Sequence, residues 1–357
     1  MPRLNLEHQR KRARALLKAV RAEDPEALRR FRSSRARAAT PGTVSLHEAQ
    51  RVVARENGFT SWARLKSHIR SETLRQPLTL AALAGAAHRA LETERPRPLF
   101  RDAFARALAG QLGLSVLAAA RLTRWPGYST GPDPFVAIVT RFFDDALRNV
   151  VAQSGIAQVV LFGAGMDTRA FRLAWPSSVT VYEVDRAEVF EHKEAVLGAA
   201  QARASCRRQI VATSSRGSWT AALVKAGFDR SQRCAVLIEG LLYLDAAAAE
   251  RLLHDVTGIS AKGSWLGFAL PTEQTVRSVF MTPFLQRLEA LGLPAWRFGV
   301  DDPDAWLASC GWAATSVVAG APEASYERWP YAYVPRETPS IPRVFFTQAW
   351  LNAKEDR

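Results

Sequence analysis

The sequence predicts an α/β fold built on a doubly wound, mostly parallel sheet, and three apolar runs carry this prediction. The run Val159–Phe162 is followed at once by the glycine turn Gly163–Gly165 and then by a segment typical of a helix start. Val179–Asp185 and Ala235–Glu239 are two further strand-like runs, and each ends in a carboxylate. Because the carboxyl ends of neighbouring parallel strands meet at one edge of a sheet, these acids should flank a ligand-binding crevice.

The glycine turn is the predicted centre of that crevice. Gly163 and Gly165 have no Cβ, so the backbone there can approach a ligand closely, and the helix predicted from Met166 onwards would offer unpaired N–H groups. A G-x-G turn also serves in many proteins only to reverse the chain. The dinucleotide-binding pattern G-x-G-x-x-G requires a third small residue where this chain has Thr168, which disfavours NAD without excluding it.

The rest of the chain supplies further strands and helices around this unit. Apolar patterns predict a weak third strand at Ile210–Ala212 and later strands at Ser264–Leu270, Thr315–Val318 and Val344–Thr347. Helices are predicted between residues 80 and 120 with a break at Arg95–Pro98, over Phe135–Val151, and in an insertion at about 272–311 that carries Phe284–Leu291 and Pro303–Ser309. The sheet core is therefore expected over about 156–357, after a helical segment of about 76–155.

Residues 1–75 are predicted to form a separate, basic, all-helical module. They hold 18 Lys and Arg against 7 Asp and Glu, or +11 of the net charge of +14. Asp24 and the pair Ser45 and Glu48 are typical of helix starts, and Glu72–Thr79 is the expected linker to the rest of the chain. The charge suits an electrostatic contact with nucleic acid, anionic lipid or an acidic partner. We favour the simpler interpretation of a solvated Arg-rich appendage, and the chain also lacks the N/D-P-P-Y/F signature of nucleic-acid modification.

Composition indicates a globular protein with neither a membrane span nor a metal site. Of the 357 residues, 48% are apolar and 23% are charged, and no secretory segment opens the chain. No apolar run approaches the ~20 residues of a membrane-spanning helix, so we expect a cytoplasmic protein. Cys206, Cys234 and Cys310 lie far apart without a C-x-x-C pair, and the six histidines show no ligand spacing. His192 and His254 are predicted to lie on solvated helix exteriors.

Seven segments resemble one enzyme family in the order in which they occur. They are RPLFRDAFARALAG (Arg97–Gly110), VTRFFDDAL (Val139–Leu147), VVLFGAGMDTRAFRL (Val159–Leu173), YEVDRAEVFEHKEAVL (Tyr182–Leu197), LIEGLLYLDAAAAERLL (Leu237–Leu253), D-P-x-x-W-L…GW (Asp302–Trp312) and PRVFF (Pro342–Phe346). In these segments the chain resembles the class I S-adenosylmethionine-dependent methyltransferases of the leucine carboxyl methyltransferase type, including the bacterial polyketide O-methyltransferase branch. The resemblance implies S-adenosylmethionine (SAM) as cofactor and a Rossmann-like, seven-stranded, mostly parallel sheet with an antiparallel last strand. It also implies a helical cap over the site and an insertion at about 272–311 that helps to wall the substrate pocket.

The resemblance further implies which residues hold SAM. Arg141, in VTRFF, matches the arginine that clamps the methionyl carboxylate, for which a guanidinium fork is well suited. Gly163, Ala164 and Gly165 match the turn beside the amino-acid end of SAM. Asp185 matches the acid that accepts hydrogen bonds from both ribose hydroxyls.

Two further positions concern the ends of SAM, and three concern the acceptor. Glu239 matches the acid near the methionyl amine, and because a buried unpaired carboxylate is costly, it should have a cationic or N–H partner. Ser214 stands where the family usually has an acid for the adenine amine, so we expect weaker SAM binding or another adenine partner. Tyr128, Tyr243 and Arg169 are the candidates for the substrate pocket, although the segment before Tyr243 is one residue shorter than the usual form.

No general base is evident, and no catalytic residue is assigned. A carboxylate acceptor is ionised above pH ~4–5 and needs no base, whereas a phenol with a pKa of ~10 needs one. We therefore predict an O-methyltransferase that acts on a carboxylate or hydroxyl of a small molecule, such as a natural product, or on a protein C-terminal carboxyl. Two alternatives stay open: a non-catalytic SAM- or nucleotide-binding regulator that docks to an anionic partner through residues 1–75, and an NAD-type oxidoreductase.

Overall fold

A seven-stranded sheet is the core of residues 76–357 in the computed structural model, which describes residues 4–34, 41–121, 134–213, 218–338 and 341–352. The chain divides into two units, Met1–Arg75 and Gln76–Arg357. The strands are β1 (Gln158–Phe162), β2 (Thr180–Arg186), β3 (Arg207–Thr213), β4 (Cys234–Ile238), β5 (Trp265–Pro271), β6 (Trp312–Val318) and β7 (Val344–Leu351).

The order of the strands across the sheet is β3-β2-β1-β4-β5-β7-β6. β7 runs antiparallel to β5 and β6, and β1 to β5 run parallel to one another. This arrangement confirms the predicted α/β fold with an antiparallel last strand. The weak run predicted at Ile210–Ala212 is longer than expected, because β3 pairs with β2 along its whole length.

The register of the three central strands brings the predicted ligand-binding residues side by side. Phe162, the last residue of β1, pairs with Val184 of β2 and with Ile238 of β4. The next residue of each segment is therefore a neighbour of the other two, and these residues are Gly163, Asp185 and Glu239. The strand order reverses at β1, and such a switch point is where doubly wound sheets bind ligands.

The first unit consists of helices, and a second set of helices accompanies the sheet in the second unit. In the first unit they are α1 (Leu6–Arg21), α2 (Pro25–Ser33), α3 (Leu46–Glu56) and α4 (Trp62–Leu74). In the second unit they are α5 (Pro77–Thr93), α6 (Ala105–Arg121), α7 (Pro134–Ser154), α8 (Arg169–Arg172), α9 (Ala187–Ala199), α10 (Trp219–Lys225), α11 (Ala246–Ile259), α12 (Glu273–Arg277), α13 (Thr282–Ala290) and α14 (Pro303–Ala308). Single 3₁₀ turns occur at Pro41–Thr43, Leu241–Tyr243 and Pro322–Ala324.

One predicted element lies where it was expected but is helical, and another is wrong. The linker predicted at Glu72–Thr79 contains the division between the two units, between Arg75 and Gln76, and the end of α4 and the start of α5 occupy most of it. The helix predicted from Met166 is the single turn α8, which begins only at Arg169. A local contact explains the delay, since the carboxylate of Asp167 accepts a hydrogen bond from Arg169 N at 2.6 Å and competes with the helical hydrogen-bond ladder.

The sheet is buried on both faces because most residues of its central strands β1 and β4 are apolar. In β1, Val159 and Leu161 pack with α7 on one face and Val160 packs with α11 on the other. All three side chains are at most 2% exposed. A core packed in this way gives the residues at the strand ends fixed positions.

The first unit is a helical module with a core of its own. Leu16 of α1 and Phe31 of α2 are buried in that core together with apolar residues of α3. The predicted helix starts are confirmed: Asp24 caps α2, and Ser45 and Glu48 form a capping box at α3. Within the described ranges, no helix is both long and apolar enough to span a bilayer.

Candidate functional site

A cavity of about 520 Å³ lies at the carboxyl ends of the parallel strands. Its volume falls within the ~300–1,000 Å³ typical of small-molecule sites. Residues that end or follow β1 to β5 line one side, and α5 and α7 line the other. The charged lining residues are Arg89, Asp167, Asp185, Arg186 and Glu239.

Asp185 is held at the edge of this cavity by the backbone on both of its sides. Its Oδ2 accepts a hydrogen bond from Gly165 N at 2.7 Å, and its Oδ1 accepts one from Arg186 N at 2.6 Å. Burial raises the pKa of Asp185, and the two N–H donors offset part of that effect. Because a carboxylate has about four lone-pair directions, each oxygen keeps one for a ligand, which suits two neighbouring hydroxyls.

The glycines of the turn are required by the packing of the chain itself. Gly163 and Gly165 have φ values of 71° and 42°. A Cβ on Gly163 would lie 2.5 Å from the carbonyl oxygen of Glu239, and a Cβ on Gly165 would lie 2.8 Å from the Cβ of Ala82. The turn therefore lets β1 pass close to the residue that follows β4.

Replacing Gly163 by alanine is expected to destabilise the second unit by about 2 kcal/mol, because the new methyl group meets a carbonyl oxygen in a left-handed backbone. Gly198→Ala in α9 is the matched control, since nothing lies within 4 Å of its Cβ. We expect the control to leave the Tm unchanged or slightly raised. Differential scanning calorimetry measures both, and equal Tm values for Gly163→Ala and the unmodified protein would contradict the predicted clash.

The amides of the glycine turn are paired within the chain. The N–H groups of Gly163 and Ala164 both donate to the Val184 carbonyl, at 3.0 and 3.1 Å. The N–H of Gly165 donates to Asp185. The turn thus acts on a ligand indirectly, by fixing the carboxylate of Asp185.

Behind the cavity wall, Arg169 joins three carboxylates. Its Nη1 donates to Glu239 Oε1 at 2.7 Å and to Asp167, and its Nε donates to Asp144 Oδ1 at 2.9 Å. Arg172 donates to Asp144 as well, with 2.8 Å between Nη2 and Oδ1. Glu239 therefore has the cationic partner that the sequence predicts. Its second oxygen, Oε2, has no hydrogen-bond partner in the part of the chain that the structure describes.

This cluster keeps Asp167 ionised and corrects the interpretation of Arg169. Burial opposes ionisation, but Arg169 and Arg172 outweigh it and lower the pKa of Asp167 to about 2. Arg169 is 2% exposed and is absent from the cavity lining, whereas Asp167 and Glu239 belong to it. Arg169 is thus not a pocket residue; it positions two residues that are.

Arg89, on α5, is a cation of the cavity that the sequence analysis missed. It is 9% exposed. Its Nε donates to Asp102 Oδ2 at 3.0 Å, and its Nη2 donates to the Met166 carbonyl. Asp102 also accepts from Thr168 Oγ1 at 2.7 Å, which ties the cluster to the chain after the glycine turn. The remaining nitrogen of Arg89, Nη1, has no hydrogen bond to the described residues.

Arg141 lies outside the cavity, which corrects its predicted role as the carboxylate clamp. Its Nε donates to Asp145 Oδ2 at 2.7 Å and its Nη1 to the Leu99 carbonyl at 2.8 Å. The guanidinium also lies over the ring of Tyr326, 5.7 Å from its centroid. The preceding residue, Thr140, does line the cavity. Because consecutive helical residues project ~100° apart, Arg141 points elsewhere.

The remaining candidates fall in different places. Tyr243 lines the cavity from the 3₁₀ turn after β4, and burial, with a smaller contribution from Glu239, raises its pKa to about 12. Tyr128 and Ser214 lie outside the described residues.

The prediction that residues 272–311 help to wall the substrate pocket is wrong, because none of the described lining residues belongs to that segment. That segment instead donates backbone hydrogen bonds to the 3₁₀ turn.

The histidines and cysteines contribute no visible site. In the described ranges, no group of three or more His, Cys, Asp and Glu residues is placed to hold a metal ion. His254 is exposed as predicted. His192 is not, because it is half-buried and its Nε2 lies 3.1 Å from the Leu108 carbonyl oxygen.

The chain is similar to several known proteins. The profile of the leucine carboxyl methyltransferase family matches residues 82–257, which include the glycine turn, Asp185 and Glu239. A protein of Mycobacterium bovis, named as a candidate S-adenosyl-L-methionine-dependent methyltransferase, is 38% identical over 250 residues, or 66% of this chain and 80% of the relative. A protein of Frankia alni with the same description is 39% identical over 259 residues, or 69% of this chain and 86% of the relative. The crystal structure of a candidate methyltransferase from Thermobifida fusca has a TM-score of 0.48 and 13% identity, and covers 70% of this chain and 93% of that one.

Proposed function

Because the chain belongs to the leucine carboxyl methyltransferase family of SAM-dependent methyltransferases, we propose that it transfers a methyl group from SAM to a carboxylate oxygen of a small, largely apolar molecule. The observation that carries the proposal is the division of the cavity into two sides. The strand ends supply four charged groups in fixed positions, and the helices supply a mostly apolar surface on which Arg89 is the charged residue. The first side together with Arg89 suits the cofactor, and the apolar remainder of the second suits the body of the acceptor.

The described residues fit SAM at three of its groups. Asp185 keeps one acceptor direction on each oxygen for the two ribose hydroxyls. The Oε2 atom of Glu239 would accept from the methionyl ammonium, and the Nη1 atom of Arg89 would donate to the methionyl carboxylate. Arg89 therefore replaces Arg141 as the proposed clamp.

When bound, SAM supplies a methyl group that its sulfonium activates for in-line displacement by an oxygen nucleophile. The protein must then orient two reactants and exclude water, and orientation alone can supply ~7–11 kcal/mol of the barrier. The buried Arg169 fixes Asp167 and Glu239 for that purpose. The three acids that line the cavity outnumber its two cations, which suits a cofactor with sulfonium and ammonium charges.

The apolar side of the cavity supports the proposed acceptor class. α7 presents Phe135, Val136, Val139 and Phe143 to it. A pKa of about 12 keeps the phenol of Tyr243 protonated, so Tyr243 can donate a hydrogen bond but cannot remove a proton near neutral pH. No histidine is among the lining residues that the structure describes. An apolar carboxylic acid, already ionised at neutral pH, is therefore a better acceptor than a phenol.

The proposal is tested by methyl transfer from labelled SAM to matched pairs of apolar carboxylic acids and the corresponding alcohols and phenols. We expect label in the carboxylic acids, as esters that mild base hydrolyses. Asp185→Asn should lower SAM affinity by about 10-fold or more, since it removes the charge from two hydrogen bonds. The exposed Asp229→Asn, which lies outside the cavity lining, is the matched control. A base-stable methyl ether as the main product, or a protein that does not bind SAM, would overturn the proposal.

A further inference from the structure

Thr140 is the polar residue that α7 contributes to the lining of the cavity. α7 supplies five of the described lining residues, and the other four are Phe135, Val136, Val139 and Phe143. Thr140 is 5% exposed, so its hydroxyl is shielded from bulk solvent. A polar group in such an apolar surface is costly unless it forms a hydrogen bond.

The hydroxyl of Thr140 has no hydrogen-bond partner among the described residues. A helical threonine can donate to the carbonyl oxygen four residues earlier. Thr93 does so to Arg89 at 2.8 Å, and Thr257 does so to Leu253 at 2.9 Å, but Thr140 does not. Its oxygen is also not enclosed by the fold, unlike the indole nitrogen of Trp265. The hydroxyl is therefore available to a molecule in the cavity.

The position of Thr140 along α7 places it between two parts of the site. Asp144 follows four residues later and is its neighbour on the helix surface. Asp144 belongs to the charged cluster in which Arg169 also binds Glu239. Val136 precedes Thr140 by one turn and belongs to the apolar lining. A ligand group that meets Thr140 therefore lies where the charged part of the cavity gives way to the apolar part.

We propose that the hydroxyl of Thr140 donates a hydrogen bond to the carboxylate of the methyl acceptor and selects for that group. This inference rests on the proposed function. In the reaction, one carboxylate oxygen forms a bond to the methyl carbon, the bond from that carbon to sulfur breaks, and its electron pair stays on sulfur. The second carboxylate oxygen accepts from Thr140 and fixes the orientation of the first.

A neutral donor suits this position better than a cation does. Arg89, one of the two cations in the described lining, is the proposed partner of the methionyl carboxylate. The other, Arg186, donates to Gln76 and to Thr79 Oγ1. An arginine bound to the acceptor would stabilise the unreacted anion more than the transition state, in which the carboxylate has lost charge. A hydroxyl orients the same group with a weaker bond.

The test compares Thr140→Val, which replaces the hydroxyl by a methyl group, with Thr140→Ser, which keeps it. The probes are octanoic acid, dodecanoic acid and phenylacetic acid with labelled SAM. Because the bond is strongest before the carboxylate loses charge, its loss should act mainly on KM. We expect Thr140→Val to raise the KM of the acids by about 10-fold or more and to change kcat by less than about threefold. Thr140→Ser should keep KM within about threefold.

Thr257→Val is the matched control, because Thr257 is a helical threonine outside the described cavity lining. Its hydroxyl donates to Leu253 and accepts from Trp312 Nε1 at 2.9 Å. The control should therefore lower the Tm and leave the KM of the acids unchanged. Thr140→Val removes no hydrogen bond within the described chain, so its Tm should be unchanged or slightly raised.

The outcomes separate this inference from the proposed function. An unchanged KM in Thr140→Val, with normal turnover, would overturn the role of Thr140 alone. Affinity of Thr140→Val for S-adenosylhomocysteine that falls by more than about threefold in calorimetry would also overturn it, because the hydroxyl would then serve the cofactor. Ester formation from none of the three acids by the unmodified protein would overturn the proposed function, and this inference with it.

Discussion

Replacing Arg89 by alanine is expected to weaken binding of S-adenosylhomocysteine about 100-fold, which corresponds to ~3 kcal/mol. Arg89 is the buried cation of α5 that lines the cavity and whose Nη1 has no hydrogen bond to the described residues, and its loss would leave the ligand carboxylate without this partner. Arg141→Ala is the matched control because the Arg141 guanidinium is bonded to Asp145 and to the Leu99 carbonyl outside the cavity. We expect the control to change the affinity by less than about twofold. Isothermal titration calorimetry measures both.

A second ligand separates loss of a contact from loss of the fold. 5′-Methylthioadenosine keeps the adenine and ribose but lacks the amino-acid tail, so Arg89→Ala should bind it as the unmodified protein does. Arg89→Lys keeps the charge and should recover part of the affinity for S-adenosylhomocysteine. Equal weakening for both ligands would show that Arg89 acts only on the structure. If only Arg141→Ala weakened binding of S-adenosylhomocysteine, Arg141 would again be the proposed partner of the methionyl carboxylate.

The sheet could be predicted because its signals are local. Val159–Phe162 is apolar along its whole length, as a strand buried on both faces must be, and a glycine turn follows it directly. The acids Asp185 and Glu239 end or follow two similar runs, and parallel pairing then forces them to one edge. Once the strand order is known, the proximity of Asp185 and Glu239 follows from the pairing of the strands alone.

The choice between Arg89 and Arg141 could not be made in this way, because it depends on how two helices pack. Arg141 lies in a more specific motif, yet its neighbours on α7 face the cavity and it does not. A signal for Arg89 was present, since it stands among Ala86, Ala87 and Ala90, all of which are at most 2% exposed. An arginine on the apolar face of a helix requires a buried partner, and here that partner is Asp102.

The cluster around Arg169 could not be predicted from the sequence for a related reason. Its members come from α7, from α8, from the segment between β1 and α8, and from the residue after β4, and only the packed structure shows that Asp144 and Arg172 belong to it. The sequence could state that Glu239 needs a partner, but it could not choose among 48 basic residues.

Arg169→Met is expected to destabilise the second unit by about 3–5 kcal/mol at pH 7, because it leaves the charges of Asp144 and Asp167 buried with fewer partners. Arg148→Met is the matched control: Arg148 is 44% exposed in a surface ion pair, and its loss should cost less than about 0.5 kcal/mol. The loss of stability in Arg169→Met should also depend on pH. In the unmodified protein the pKa of Asp167 lies at about 2, below its unfolded value, so its contribution is complete above pH ~4 and is lost as the pH falls through 2.

Arg169 is the largest influence that lowers the pKa of Asp167 against the effect of burial, so we expect that pKa to rise when Arg169 is removed. Protonation at pH 3 to 4 then relieves the buried charge, so the gap in Tm between Arg169→Met and the unmodified protein should narrow on going from pH 7 to pH 4. Calorimetric melting at the two pH values measures this change, and the Arg148→Met gap should stay small at both. A gap of constant size would show that Arg169 contributes packing alone. A gap that shrinks ties the stability of the fold to the same charges that hold Asp167 and Glu239 at the edge of the cavity.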